Sequence, residues 1–129
     1  MSIIAIAILL GTLVNARQTG TPSVQYRSPD GVEYRSLPET DAIKSARAAL
    51  DASPKDIARI IDLGVAQAGA RQFKEAIATF TRGLEIEPQN ALLLRWRGHR
   101  YISVRDFDRA LKAGIIAPVG SVTRPAIVP

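Results

Sequence analysis

The residues best suited to chemistry lie between positions 95 and 106, where four guanidinium groups alternate with two aromatic rings. The arginines are Arg95, Arg97, Arg100 and Arg105, and the rings belong to Trp96 and Tyr101. His99, the only histidine of the chain, lies among them. Guanidinium groups bind carboxylates and phosphates through charge-assisted hydrogen bonds. The chemistry that this segment offers is therefore the binding of anions.

Residues for catalysis or metal binding do not form a recognisable set. His99 has no serine or cysteine partner in a known arrangement, and it has too few neighbouring ligands for a metal site. Asp106 and Asp108 flank Phe107 where a helix is predicted to begin, and carboxylates there stabilise the helix dipole. The chain contains no cysteine. The sequence thus predicts no enzymatic activity, no metal and no cofactor.

The positive charge is concentrated in the last third of the chain. Of a net charge of +5, all of the excess comes from residues 88–129, where seven basic groups face only Asp106 and Asp108. The preceding segments carry equal numbers of acidic and basic groups. This asymmetry predicts a partner with an acidic surface.

A single spacing recurs along the chain and predicts the fold class. This repeat period, about 34 residues long, is typical of stacked helical hairpins, so we predict an all-α fold. The pairs that it relates include Gly64 and Gly98, Phe73 and Phe107, Ala76 and Ala110, Ile77 and Leu111, and Pro54 and Pro88. The same offset backwards relates Ala76 to Ala42, Ile77 to Ile43, and Leu84 to Leu50.

Within one period, small and apolar residues stand at characteristic places. The first set is Ile60, Leu63, Gly64, Ala76, Phe80, Gly83 and Pro88, and the second is Leu94, Gly98, Tyr101 and Ala110. In this pattern the chain resembles the tetratricopeptide repeat family over roughly residues 39–113. Gln67, Arg97 and Gly114 depart from it. The resemblance implies a right-handed α-solenoid fragment that acts as a protein-interaction module.

The resemblance also implies a partner-binding groove along the first helix of each hairpin. Its predicted residues are Ile61, Val65, Leu92, Arg95 and His99. Arg95 and His99 match positions that hold a peptide carboxylate in some members. Ile61 and Val65 cannot donate side-chain hydrogen bonds, so we expect a shallow groove, apolar at one end and cationic at the other. Its ligand would be a peptide or helix with an acidic segment; the alternative is a solvated basic face.

Other ligands are less favoured by the sequence. Nucleic-acid binding needs aromatic platforms beside the cations, but Tyr101 matches the repeat's own packing position and Trp96 is interpreted as a packing residue. Contact with anionic lipid headgroups is a further, weaker hypothesis.

Local patterns predict the elements of residues 17–113. Residues 17–35 are interpreted as a leader with a β-hairpin around Ser28-Pro29-Asp30-Gly31. Ser36 and Glu39 form a capping box that predicts a helix to about Ala52, with an apolar face that includes Ala42, Ala46 and Ala49. Ser53 is predicted to cap the next helix, with Pro54 as its first residue.

Three further helices are predicted in the second half of the repeat region. The first covers roughly residues 73–87, and the second, about 91–103, is capped by Asn90. The last begins near Asp106, with Phe107, Ala110 and Leu111 facing inwards. Together with the first two helices, these define a repeat domain over residues 36–113.

The two ends of the chain have different compositions. Residues 1–16 are interpreted as a signal peptide cleaved after Ala16, because the apolar run 3–14 is too short to span a bilayer. Export, most simply to a bacterial periplasm, is the expectation, and a buried first helix is the alternative. Residues 114–129 form an irregular apolar tail interrupted by proline and glycine.

Two explanations of the tail lead to different functions. The tail covers the last hydrophobic face, or the chain is a truncated or frame-shifted member of a longer repeat protein. A fragment without independent activity, or a self-associating structural protein, is therefore the alternative to an interaction module. About three repeats are usually needed to bury a continuous core.

Overall fold

The fold is a small β-hairpin followed by five helices, as a computed structural model of the chain shows for residues 22–113. The all-α class predicted from the sequence is confirmed, with one two-stranded sheet added. The predicted signal peptide 1–16 and the apolar tail 114–129 lie outside the described residues. The elements are β1 (Val24–Arg27), β2 (Glu33–Arg35), α1 (Asp41–Ala52), α2 (Ile57–Gly69), α3 (Phe73–Ile86), α4 (Ala91–Ser103) and α5 (Phe107–Lys112).

Consecutive helices pack on one another from α1 to α5, and one apolar core joins the first four. Its largest fully buried side chains are Phe80, Ile43, Ile60 and Leu93. The Phe80 ring on α3 stacks on Trp96 of α4, with centroids 6.4 Å apart and planes inclined by 16°. Burial of these side chains is the main source of stability for a fold with few aromatic residues.

The turns α2–α3 and α4–α5 have the same backbone geometry. Arg71 and Arg105 have positive φ angles of 56° and 62°. The next amides, of Gln72 and Asp106, each donate to a helix carbonyl five residues earlier at 2.9 Å. Each residue of the first turn precedes its counterpart in the second by one repeat period, so the sequence period corresponds to a repeated backbone structure.

Helices α2 and α4 also begin in equivalent ways. The Asp56 carboxylate accepts from the amide of Ala58 at 2.8 Å, and the Asn90 side chain accepts from that of Leu92 at 3.1 Å. The predicted Asn90 cap is confirmed. The predicted Ser53 cap is wrong, because Asp56 caps α2. The amide of Asp56 donates to the Ser53 carbonyl and closes a turn there.

The capping box predicted at Ser36 is also wrong. Helix α1 begins at Asp41, and its cap is Thr40, whose hydroxyl accepts from the amide of Ile43. The Ser36 hydroxyl accepts instead from the Ser23 amide at 2.9 Å, and Leu37 donates its amide to the Ala70 carbonyl at 2.8 Å. These bonds engage residues 36 and 37 outside a helix, and α1 begins only at Asp41.

Helix α5 is less buried than its sequence predicts. Ala110 is fully buried, but Phe107 and Leu111 are 45% and 41% exposed, so the prediction that both face inwards is wrong. Within residues 22–113, extensive packing on α5 comes from α4 alone. The face that carries Phe107 and Leu111 therefore meets solvent in the described structure.

The predicted β-hairpin is confirmed. Strands β1 and β2 pair antiparallel, and Gly31 has the positive φ of 86° that the turn requires. The rings of Tyr26 and Tyr34 lie 5.7 Å apart across the strands. An isolated hairpin is marginally stable, so its contacts with the helices decide where it lies.

Gln25 attaches the hairpin to the first turn of α3. Its side-chain oxygen accepts from the Lys74 amide at 2.7 Å, and its side-chain nitrogen donates to Glu75 at 2.9 Å. The N-cap residue of α3, Gln72, makes no capping bond with its own side chain. A residue of the hairpin thus caps α3, and Gln25 is only 2% exposed as a result.

Replacing Gln25 by alanine should lower the free energy of unfolding by about 1 kcal/mol, because α3 loses its cap. Urea denaturation of the full chain measures this change, and faster hydrogen exchange of the Lys74 amide would locate it. Gln89→Ala, an exposed glutamine before α4, is the matched control. Equal stabilities of the two variants would show that Gln25 does not cap α3.

Candidate functional site

Helix α4 presents three of the predicted groove residues to solvent. Leu92, Arg95 and His99 recur at spacings of three and four residues, which places them on one helical face. All three are exposed, Leu92 by 40%. The opposite side of α4 contains the buried residues Leu93, Gly98 and Tyr101. The helix therefore combines a packed side with a free face that is both apolar and cationic.

Helix α2 carries the other two predicted residues at equivalent positions. Ile61 and Val65 precede Arg95 and His99 by one repeat period. Val65 is 39% exposed, whereas Ile61 is half-buried and packs against the core. Val65 is therefore the more accessible apolar contact on this helix, and Ile61 mainly supports the packing.

Val65 lines a cavity of about 430 Å³ between α1 and α2. None of the other four predicted residues borders this cavity, so the structure does not bring all five into one pocket. A second cavity of about 410 Å³, lined by residues 104–108, contains none of the five either. The first cavity is lined by Ala42, Ser45, Ala46, Ala49, Arg59, Asp62, Val65 and Ala66.

The alanines of α1 were predicted to lie on an apolar face, but the cavity beside them was not predicted. Ala42 is exposed, and Ala46 and Ala49 are only half-buried. Small side chains at helical spacing leave space between two helices, and this pattern is the signal that was available. At the rim, Arg59 pairs with Asp62 at 3.5 Å, so the charges beside the cavity largely cancel.

The four arginines between positions 95 and 105 lie in different surroundings. Arg95 belongs to the exposed face of α4, and Arg105 lies over the Tyr26 ring of the hairpin, 5.7 Å from its centroid. The Arg97 guanidinium lies 6.0 Å from the centroid of Tyr101, and that of Arg100 lies 5.5 Å from the centroid of Phe73. The sequence could not predict this division, since it depends on rings from other elements.

The two aromatic side chains in this segment have packing roles, as the sequence analysis proposed. Tyr101 is 8% exposed. Trp96 is half-buried and stacks on Phe80. Neither ring is displayed as an open platform in the described structure.

Two local effects perturb the ionisation of charged groups near α5. The Arg109 side chain and amide both donate to the Asp106 carboxylate, which holds the pKa of Asp106 below its usual range and raises the pKa of Arg109. Asp106 also caps α5 through the Arg109 amide at 3.1 Å. Burial lowers the pKa of Arg100, because desolvation disfavours its charged form.

Within the described chain, Arg109 is paired with a carboxylate, whereas the basic residues of α4 are not. Across residues 22–113, no carboxylate lies within ion-pair distance of Arg95, Arg97, Arg100 or His99. The described residues also include no group of three or more acidic, histidine or cysteine side chains that would hold a metal ion. Uncompensated positive charge is thus the main electrostatic property of α4.

Among the helices of the described part, none has the length and apolar character needed to cross a membrane. No protein-family model matches the chain, and the comparison with curated proteins gives no significant match.

Proposed function

We propose that the chain is a non-catalytic protein-interaction module of the tetratricopeptide type. The observation that carries the proposal is the exposed face of α4, where Leu92, Arg95 and His99 lie together without a carboxylate partner in the described chain. The turns and caps that recur after one repeat period support the repeat assignment.

The apolar end of the ligand would bind at the cavity between α1 and α2. Its volume of about 430 Å³ and its alanine lining suit one or two aliphatic side chains. Val65 contributes its exposed side chain there. Because exposed ion pairs stabilise complexes weakly, this apolar contact would supply most of the affinity.

The cationic end would bind an acidic group of the same ligand. Arg95 and His99 are four residues apart on one helical face, so a single carboxylate or two adjacent ones can contact both. Complementary charge of this kind mainly increases the association rate and the specificity. The proposed ligand is therefore a peptide or helix with an apolar anchor followed by acidic residues.

We also propose that the module acts outside the cytoplasm, with its partner in the bacterial periplasm. This part of the proposal depends on the interpretation of residues 1–16 as a signal peptide. Cleavage after Ala16 would be detected as an N-terminal Arg17 in protein purified from the periplasmic fraction. An intact Met1 in the cytoplasmic fraction would contradict export.

The binding proposal is tested with peptides selected by the full chain from a random displayed library. We expect selected peptides to combine aliphatic and acidic residues. Replacing both Arg95 and His99 by alanine should weaken their binding severalfold, since exposed ion pairs contribute about 0.2–1 kcal/mol each. The dependence of affinity on salt should fall as well. Fluorescence anisotropy measures both quantities.

The matched control is Arg47→Ala, which removes an exposed arginine from α1. Equal affinities of the Arg95/His99 double variant and the wild-type chain would exclude the cationic half of the site. If no peptide is selected and light scattering shows a dimer, the self-associating structural protein becomes the better hypothesis. The exposed Phe107 and Leu111 of α5 are the observation that favours this second candidate.

A further inference from the structure

Arg97 and Arg100 lie one helical turn apart on α4, on a side of the helix that the proposed groove does not use. They are half-buried, whereas Arg95 and His99 are exposed. At 3.6 residues per turn, they are about 100° or more around the helix from Arg95 and His99. Any ligand of this pair would therefore approach from another direction.

Both guanidinium groups have a buried donor without an acceptor. In the described residues, the Nε atoms of Arg97 and Arg100 are the buried side-chain polar atoms that lack a hydrogen-bond partner. Arg97 makes one long contact, from Nη1 to the Thr81 hydroxyl at 3.5 Å. A buried N–H without an acceptor is costly. Because both Nε atoms are closed to solvent, a ligand from outside would meet the Nη groups of the two arginines instead.

Aromatic rings fix the positions of these arginines. The guanidinium carbon of Arg100 is 5.5 Å from the centroid of Phe73, and that of Arg97 is 6.0 Å from the centroid of Tyr101. A guanidinium group at this distance is attracted by the ring electrons. The two contacts therefore restrict where the guanidinium groups can meet an acceptor.

Two acidic residues of the elements adjoining α4 already have other partners. Asp106 binds the side chain and amide of Arg109. Glu75 accepts from the hairpin residues Ser23 and Gln25. Since neither acid is paired with Arg97 or Arg100, the described chain supplies no counter-ion for these two charges.

We propose that Arg97 and Arg100 form a second binding site, which accepts two carboxylates from an acidic segment of a partner protein. Side chains three residues apart on a helix have Cβ atoms about 5–6 Å apart. Two carboxylates one turn apart on a partner helix would match this spacing, and each would bind the Nη groups of one arginine.

Burial of Arg100 also bears on the charge of its guanidinium group. Its pKa is lowered because the charged guanidinium is desolvated beside α3. A bound carboxylate would compensate this charge and accept hydrogen bonds from the Nη groups. Binding of an acidic segment should therefore stabilise the folded chain.

The test uses the full chain and a fluorescent oligoglutamate peptide, with oligoglutamine as the neutral comparison. Trp96, the only tryptophan, lies beside Arg97 and gives a second signal. The variant with both Arg97→Lys and Arg100→Lys keeps the charges but loses the paired Nη donors that bind a carboxylate through two hydrogen bonds. We expect it to bind oligoglutamate about tenfold or more weakly, the effect of losing hydrogen bonds to charged groups.

The matched control is Arg47→Ala, which removes an exposed arginine from α1, and it should bind oligoglutamate with nearly wild-type affinity. The variant with Arg95→Ala and His99→Ala tests the proposed function separately, because it is measured with the library-selected peptides, so failure of either site leaves the other measurable. A variant with Arg97→Met and Arg100→Met keeps the apolar stems, and circular dichroism melts check that both variants fold.

Three results would overturn the proposal. The lysine variant could bind as well as the wild-type chain, which would reduce the effect to general attraction between charges. Oligoglutamine could bind equally well, which would exclude carboxylates. Inorganic phosphate could bind tightly with the same dependence on Arg97 and Arg100, which would identify a phosphate site instead.

Discussion

Truncating Phe80 to alanine should lower the free energy of unfolding by about 3–5 kcal/mol, the range for a fully buried aromatic side chain. Phe80 is 0% exposed and stacks on Trp96 of the next helix. Its ring also approaches Gly64 of the preceding helix. One side chain therefore joins α2, α3 and α4, and small domains have only about 5–15 kcal/mol of stability in total.

Chemical denaturation of the full chain, followed by Trp96 fluorescence and by circular dichroism, measures this loss. Phe107→Ala is the matched control, since Phe107 is an aromatic residue on α5 that is 45% exposed. We expect its effect to be much smaller, because surface substitutions usually change stability by about 0.5 kcal/mol or less. Similar losses in the two variants would contradict the central position of Phe80.

The second large effect is expected at Gly64. A Cβ atom there would lie 2.3 Å from Cε1 and 2.5 Å from Cζ of Phe80. Forcing extra volume into a packed core costs about 1–3 kcal/mol. Alanine also gains about 1 kcal/mol of helix propensity over glycine. Because the contact is so short and Phe80 is fully buried, we expect the packing cost to exceed that gain.

A double-mutant cycle tests whether contact with Phe80 causes the loss of stability in Gly64→Ala. Phe80→Leu removes the ring atoms that a Cβ at Gly64 would meet, so in that background Gly64→Ala should be nearly neutral or stabilising. Gly69→Ala is the control on the same helix, since a Cβ there would have no atom within 4 Å. If Gly64→Ala stabilised both backgrounds equally, α2 and α3 would not be in close contact at this point.

Patterns local in sequence predicted much of this fold correctly. The Asn90 cap and the hairpin around Gly31 each depend on a few neighbouring residues. The repeat period of the sequence reappears in the turns at Arg71 and Arg105. In these cases the local preference and the tertiary structure agree.

The cap predictions at Ser36 and Ser53 were wrong because another group competes with each predicted interaction. Ser36 is a good cap in isolation, but its hydroxyl accepts from Ser23, and the Leu37 amide finds its acceptor at Ala70. For Ser53 the competitor is nearer, since Asp56 offers a carboxylate three residues later. Propensity alone does not rank such alternatives, because their energies depend on the assembled fold.

The candidate site could be predicted only in part. Helical spacing was enough to place Leu92, Arg95 and His99 on one face. It could not reveal that the alanines of α1 border a cavity, since cavity volume depends on how α1 and α2 pack. It also gave no indication that the guanidinium group of Arg100 lies over the ring of Phe73, which is on another helix.

The cap that Gln25 provides for α3 has a consequence for the order of folding. Its bond to Lys74 spans 49 residues, whereas the helices pack on their sequence neighbours. Closing a longer loop costs more chain entropy, so α2 and α3 should associate before the hairpin docks. Contacts absent from the transition state affect mainly the unfolding rate. Stopped-flow measurements should then find faster unfolding for Gln25→Ala with nearly unchanged refolding. This result would show that the hairpin docks late in folding and sets the lifetime of the folded chain.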